Sequence, residues 1–146
     1  MDKLKIDFKS PSTICLLAGS LVILLATFLP AAKVSFMGIS ETGNLMSDYG
    51  HHGIFHLILV IAIVVMLVLD KKPVVSGLAA AEVIWAIVDI RNVASDVSDA
   101  NKIVKDAASF GIGFFFLIIG ALALVAGVVL LNINAKKNTA PAQPMQ

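Results

Sequence analysis

The chain has 146 residues, 58% of them hydrophobic and 14% charged, with a formal net charge of +1. Its mean hydropathy is +0.93. An apolar, nearly neutral chain without a basic stripe or aromatic–basic interleaving gives no support to nucleic-acid binding, and none is expected. With four apolar runs in 146 residues, no soluble catalytic domain is expected beside them.

Four such runs, 14–32, 53–69, 74–93 and 110–131, each have about the length that crosses a ~30 Å hydrocarbon slab as a helix. The expected fold is therefore an all-α, integral membrane four-helix bundle spanning 14–131. A polar tail, 1–13, precedes it. A second tail, 132–146, is rich in proline and polar residues and is expected to be disordered.

The first span opens at Ser10-Pro11 or Ser12, where a serine cap precedes the apolar run. A signal peptide is the alternative reading, given the basic start and the Leu29-Pro30-Ala31-Ala32 end. About nineteen apolar residues exceed a ~7–15-residue signal core, however, and Pro30 fits a small-x-small cleavage site badly. Cys15 is the single cysteine, so no intramolecular disulfide forms.

In the first long loop, 33–52, the alternation of Val34 to Ile39 predicts a short strand, and Glu41-Thr42-Gly43-Asn44 predicts a turn. All three histidines follow in His51-His52-Gly-Ile-Phe-His56. Solvated His51 and His52 with a packed His56 is the plain expectation. His52 and His56 are spaced to share a metal, but the pattern matches no metal motif, and no metal site is assigned.

Asp70-Lys71-Lys72-Pro73 makes the second and third spans antiparallel neighbours, with Pro73 suited to a helix start. Within the third span Glu82 lies roughly 12 Å below the surface. Asp89 follows seven residues on, within about 20° on the same face. Each carboxylate at depth costs about 2.5–3.5 kcal/mol against lipid, so this face turns inward or toward another protomer. By depth, Ser20 and Thr27 of the first span are level with Glu82 and Asp89, which predicts an intramembrane polar seam of these four. A second expectation is a titrating pair of His56 and Asp89.

The second long loop, 94–109, shows apolar residues at helical spacing opposite Asp96, Asp99, Lys102 and Asp106. It predicts a helix that extends the third span or lies along the headgroups. Gly113, Gly120 and Gly127 then recur every seven residues in the last span as a helix-packing face, and Ala123–Gly127 adds a small-xxx-small pair.

Seven of the eleven basic residues, Lys3, Lys5, Lys9, Lys71, Lys72, Lys136 and Lys137, lie in the tails and the short turn. Basic residues of short loops stay inside, so both termini are expected to be cytoplasmic and both long loops outside. The cytoplasmic lysines are too scattered for a polybasic lipid-binding cluster.

Leu29-Pro30-Ala-Ala-Lys-Val34-Ser35-Phe-Met-Gly38, Gly53-Ile-Phe and Gly111-Ile-Gly113-Phe resemble an uncharacterised type of small four-span membrane protein of bacteria, mainly Gram-positive. Some of those proteins carry a zinc ribbon ahead of the spans. This chain has no cysteine-rich ribbon, and has His51-His52 where that type is expected to have an acidic residue. The resemblance implies a bacterial cytoplasmic membrane and supplies no activity. The architecture is also similar to eukaryotic tetraspan junction proteins, but the tryptophan and paired cysteines of claudin outer loops are absent.

With no hydrolytic, transfer or phosphate-binding constellation, neither enzyme activity nor a cofactor is expected. The expected role is a non-enzymatic interaction or accessory protein in the bilayer. It would assemble with itself or with another membrane protein, and an immunity-type protein fits that description. Phe36, Met37 and Ile39 are its candidate contact residues. The alternative is a small oligomeric channel or proton-linked transport component using Glu82 and Asp89. The lack of an internal repeat counts against a self-contained transporter.

Overall fold

The structure, a computed structural model, describes residues 8–47 and 52–139. The start of the N-terminal tail, the 48–51 segment with Asp48, Tyr49 and His51, and residues 140–146 lie outside them.

Helix α1 (Pro11–Phe28) leads into a hairpin of β1 (Ala32–Phe36) and β2 (Ile39–Gly43). Helix α2 (His52–Val68), helix α3 (Lys72–Ile103), strand β3 (Ala108–Phe110) and helix α4 (Ile112–Thr139) follow. Three of the helices are long and apolar enough to cross a membrane, and α2 is a shorter apolar helix of 17 residues. The helices form a ring in which α1 and α3 each neighbour both α2 and α4, so α1 faces α3 only across the diagonal. The strands gather at one end of the ring, and the α2–α3 turn marks the other.

Glycines set the closeness of α1 and α4. A Cβ on Gly120 would lie 2.5 Å from Ile23 Cγ1, one on Gly127 2.7 Å from Leu16 Cγ, and one on Gly113 2.6 Å from the Leu29 carbonyl oxygen. All three predicted packing glycines thus face α1. Gly19 of α1 answers them, with the Gly120 carbonyl 2.9 Å from its would-be Cβ. Backbones this close gain dispersion contacts along the whole seam.

The all-α expectation is incomplete, because the long loops build an antiparallel sheet of order β2-β1-β3. Val34 pairs with Glu41 on one side and Ala108 on the other. Residues 41–43, read as a turn, are strand. The hairpin turns instead at Met37 (φ 51°) and Gly38 (φ 82°), two positive φ values that match the right-handed twist of the strands. Asn44 then makes the local turn, its Oδ1 accepting from Met46 N at 3.0 Å and Ser47 N at 2.9 Å.

The second loop is helical only to Ile103. Asn101 explains the stop: its side-chain amide donates to Ala108 O at 3.0 Å and its oxygen accepts from Ala108 N at 2.8 Å. With that clamp made, Ala108–Phe110 is laid against β1, and Ser35 N donates to Ala107 O at 2.7 Å.

At the other end, α2 closes with a Schellman motif, Lys71 N to Met66 O at 2.9 Å and Asp70 N to Leu67 O at 3.1 Å, with Asp70 at φ 55°. Pro73 sits in the first turn of α3. The serine cap expected for α1 is absent in its side chain: Ser10 makes no cap bond, and its hydroxyl lies 2.8 Å from Ser12 Oγ. Helix α4 continues through 132–139, where a disordered tail is expected.

Candidate functional site

The buried face of α2 runs Gly53, His56, Val60, Ile63 and Leu67, and that of α3 runs Val75, Ala79, Glu82, Ala86, Asp89, Val93 and Val97. Both follow helical spacing, so the polar side chains on them are carried into the interior with the apolar ones. His56, Glu82 and Asp89 are each 0% exposed.

These residues form one continuous chain. His56 Nδ1 lies 2.5 Å from Glu82 Oε1, and His56 Nε2 lies 2.7 Å from Asp89 Oδ2. The other oxygen of Asp89, Oδ1, contacts His52 Nδ1. Both nitrogens of one imidazole and both oxygens of one carboxylate are thereby engaged. Each of the three contacts needs one proton between its heavy atoms, so the chain Glu82–His56–Asp89–His52 holds three. An imidazolium at His56 flanked by carboxylates meets this count, and so does a neutral imidazole beside one carboxylic acid.

His52, with 26% of its side chain exposed, is where the chain reaches the sheet end. Trp85 covers it there, its ring centroid 5.1 Å from that of His52 and 5.0 Å from that of Phe55. Two buried atoms beside the chain have no hydrogen-bond partner, Glu82 Oε2 and Trp85 Nε1.

The expected seam of Ser20 and Thr27 with Glu82 and Asp89 does not form. Thr27 Oγ1 donates to its own helix at Leu24 O, 2.7 Å away, and Ser20 Oγ is buried without a partner. The reason is the ring order: α1 lies diagonally from α3, and α2 brings its histidines to the acids first. The pairing of His56 with Asp89 is present at 2.7 Å. The solvated role expected for His52 is not what the structure shows, and His51 lies outside the described residues.

Sequence reasoning passed over the contact of His56 with Glu82 and the place of Trp85. A signal for them existed. His52 precedes Asp70 by 18 residues and Asp89 follows Lys71 by 18, so a tight antiparallel turn sets the two opposite each other. The same rule puts His56 opposite Trp85, midway between Glu82 and Asp89. Among the described residues no group of three or more His, Cys, Asp or Glu is arranged to hold a metal ion.

Compared with known proteins, the chain matches no family model, no curated protein and no solved structure.

Proposed function

We propose that this chain is a non-enzymatic integral membrane protein of the interaction or accessory type, and that the α2–α3 contact inside it is a proton-dependent latch. The observation that carries the reading is His56, buried with a carboxylate on each ring nitrogen. Removing one of the three shared protons leaves two acceptors facing each other at hydrogen-bond distance in a dry interior, an arrangement that favours separation of the helices. Within the ring no lysine or arginine offers a substitute partner: α1 contributes the uncharged Ser20 and Thr27, and α4 has no ionisable residue from Ile112 to Leu131.

The accessory role draws on the hairpin tip, where Phe36, Met37 and Ile39 are 49%, 87% and 69% exposed. Such apolar residues at the end of a bundle fit contact with another membrane protein or a second copy. Glu82 and Asp89 are buried within one chain rather than presented to a neighbour, which favours the latch over a pore assembled from several protomers. The distribution of lysines supports cytoplasmic termini and an exterior sheet, and the likeness to small four-span bacterial proteins supports a bacterial cytoplasmic membrane.

The test is thermal unfolding in mild detergent over a range of pH, for the parent and for His56→Gln. The parent is expected to lose stability on the alkaline side as the third proton leaves. His56→Gln, which cannot share protons in this way, is expected to be destabilised throughout and to show no such loss. Parallel pH profiles for the two proteins overturn the latch.

A further inference from the structure

The proton chain is polar at one end and closed at the other. From His52 at the sheet end it descends through Asp89 and His56 to Glu82, which lies ten residues after Lys72, about 15 Å from the turn end at 1.5 Å per residue. Between Glu82 and that end the facing surfaces of α2 and α3 are apolar. Val60, Ile63 and Leu67 meet Val75 and Ala79, and Ile63, Val75 and Ala79 are fully buried. No buried acid, histidine or hydroxyl of α2 or α3 continues the path beyond Glu82. A proton needs a relay of groups within hydrogen-bond reach, and the apolar surfaces of α2 and α3 supply none. The buried hydroxyls toward this end, Ser12, Thr13 and Ser20, belong to α1, which lies across the diagonal from Glu82.

Resting on the latch reading, we propose that the chain exchanges protons with the sheet side alone, through His52, and conducts none across the bundle. The protein is then a one-sided sensor, and in the orientation proposed above it reads the proton concentration outside the cell. His52 is the exchange point and Glu82 the blind end. The groups facing His56 are Glu82 and Asp89 from α3; His52 is on its own helix and reaches it through Asp89. Among the described residues α1 and α4 add no titratable group at this level.

Trp85 is the single tryptophan of the chain and its ring lies against that of His52 in a tilted contact, so its fluorescence reports the state of the site without a label. The experiment uses the full-length protein in lipid vesicles. In a Cys15→Ser background, the fraction with the sheet outward is counted by labelling Ser98→Cys with an impermeant thiol reagent. Stepping the pH of the external medium from neutral to the alkaline side on which the third proton leaves, with the lumen strongly buffered, is expected to change Trp85 fluorescence in the sheet-outward fraction alone. Proton uptake driven by a pH gradient is expected to equal that of empty vesicles.

A variant separates the sensor from a solvated surface histidine. Glu82→Gln leaves His52 and its contact with Trp85 in place but removes a carboxylate three contacts away. If the chain titrates as a unit, the Trp85 titration moves by about one pH unit or more. A response from both sides, or proton flux above the empty-vesicle rate, overturns one-sided access and leaves the latch standing. An unmoved titration in Glu82→Gln, or no response from either side, overturns the latch and the sensor together.

Discussion

His56 Nε2 meets Asp89 Oδ2 at 2.7 Å, joining residues 33 positions apart across the α2–α3 interface. Asp89 also holds His52, so it is the one side chain on which both histidines depend. Asp89→Leu strands both imidazoles in an apolar setting and is expected to cost about 3–5 kcal/mol. Asp89→Asn keeps the shape and one acceptor while turning a donor toward the other histidine, and is expected to cost about 1–3 kcal/mol. Denaturant or thermal unfolding in detergent ranks the two. An Asp89→Leu protein as stable as the parent removes the chain as a source of cohesion.

Gly120 is the tightest of the three predicted glycines against α1. Gly120→Leu drives a side chain into Ile23 and is expected to split α1 from α4, seen as loss of a single unfolding transition or of a sharp elution peak. Leu122 is 65% exposed and points away from the bundle, so Leu122→Ala is expected to change stability by less than about 0.5 kcal/mol. Equal melting of Gly120→Leu and the parent contradicts the seam.

Asp70 occupies a left-handed position, φ 55°, that glycine adopts freely. Its ion pair with Lys72 is long, 3.9 Å, and exposed, and contributes little. Asp70→Gly is therefore expected to stabilise the protein by about 0.5–1 kcal/mol, read as a higher melting temperature. A lower one shows that the carboxylate holds the turn in some other way.

Orientation is testable by cysteine labelling in intact cells, again in the Cys15→Ser background. Cysteines at Ser47 and Ser98 are expected to react with an impermeant reagent and one at Asn138 to stay protected until the membrane is opened. Tail labelling in unbroken cells reverses the proposed topology, and with it the side that the sensor reads.

The helices were legible because apolar runs leave the backbone little choice, and Pro11 and Pro73 mark helix starts directly. The strands were half legible: Val34 to Ile39 alternates, but β3 has only three residues, and its partner is chosen by Asn101 rather than by any pattern of its own. In the site, Glu82 and Asp89 stood out because buried acids are costly. The contact of His56 with Asp89 was expected from the short turn and is present, whereas the hydroxyl partners Ser20 and Thr27 were misjudged because depth alone does not say which helices are neighbours. Ser20 sits at a similar depth to Glu82, yet the short turn after Asp70 gives the acids to His52 and His56. Glu82 is thus reached by a histidine on the next helix rather than by a hydroxyl across the diagonal.

The three-residue turn between α2 and α3 also bears on how the chain enters a bilayer. Presented to lipid alone, α3 would carry two carboxylates at roughly 2.5–3.5 kcal/mol each, together about 5–7 kcal/mol. Helix α2 is short, and it brings the two imidazoles that relieve them. Leaving the insertion machinery as a preformed hairpin, the pair hides its charges from the acyl chains before they are met. Synthesis of α3 without α2 is then a problem of insertion rather than of folding. Lengthening the turn would harm the protein at its birth more than in its finished state.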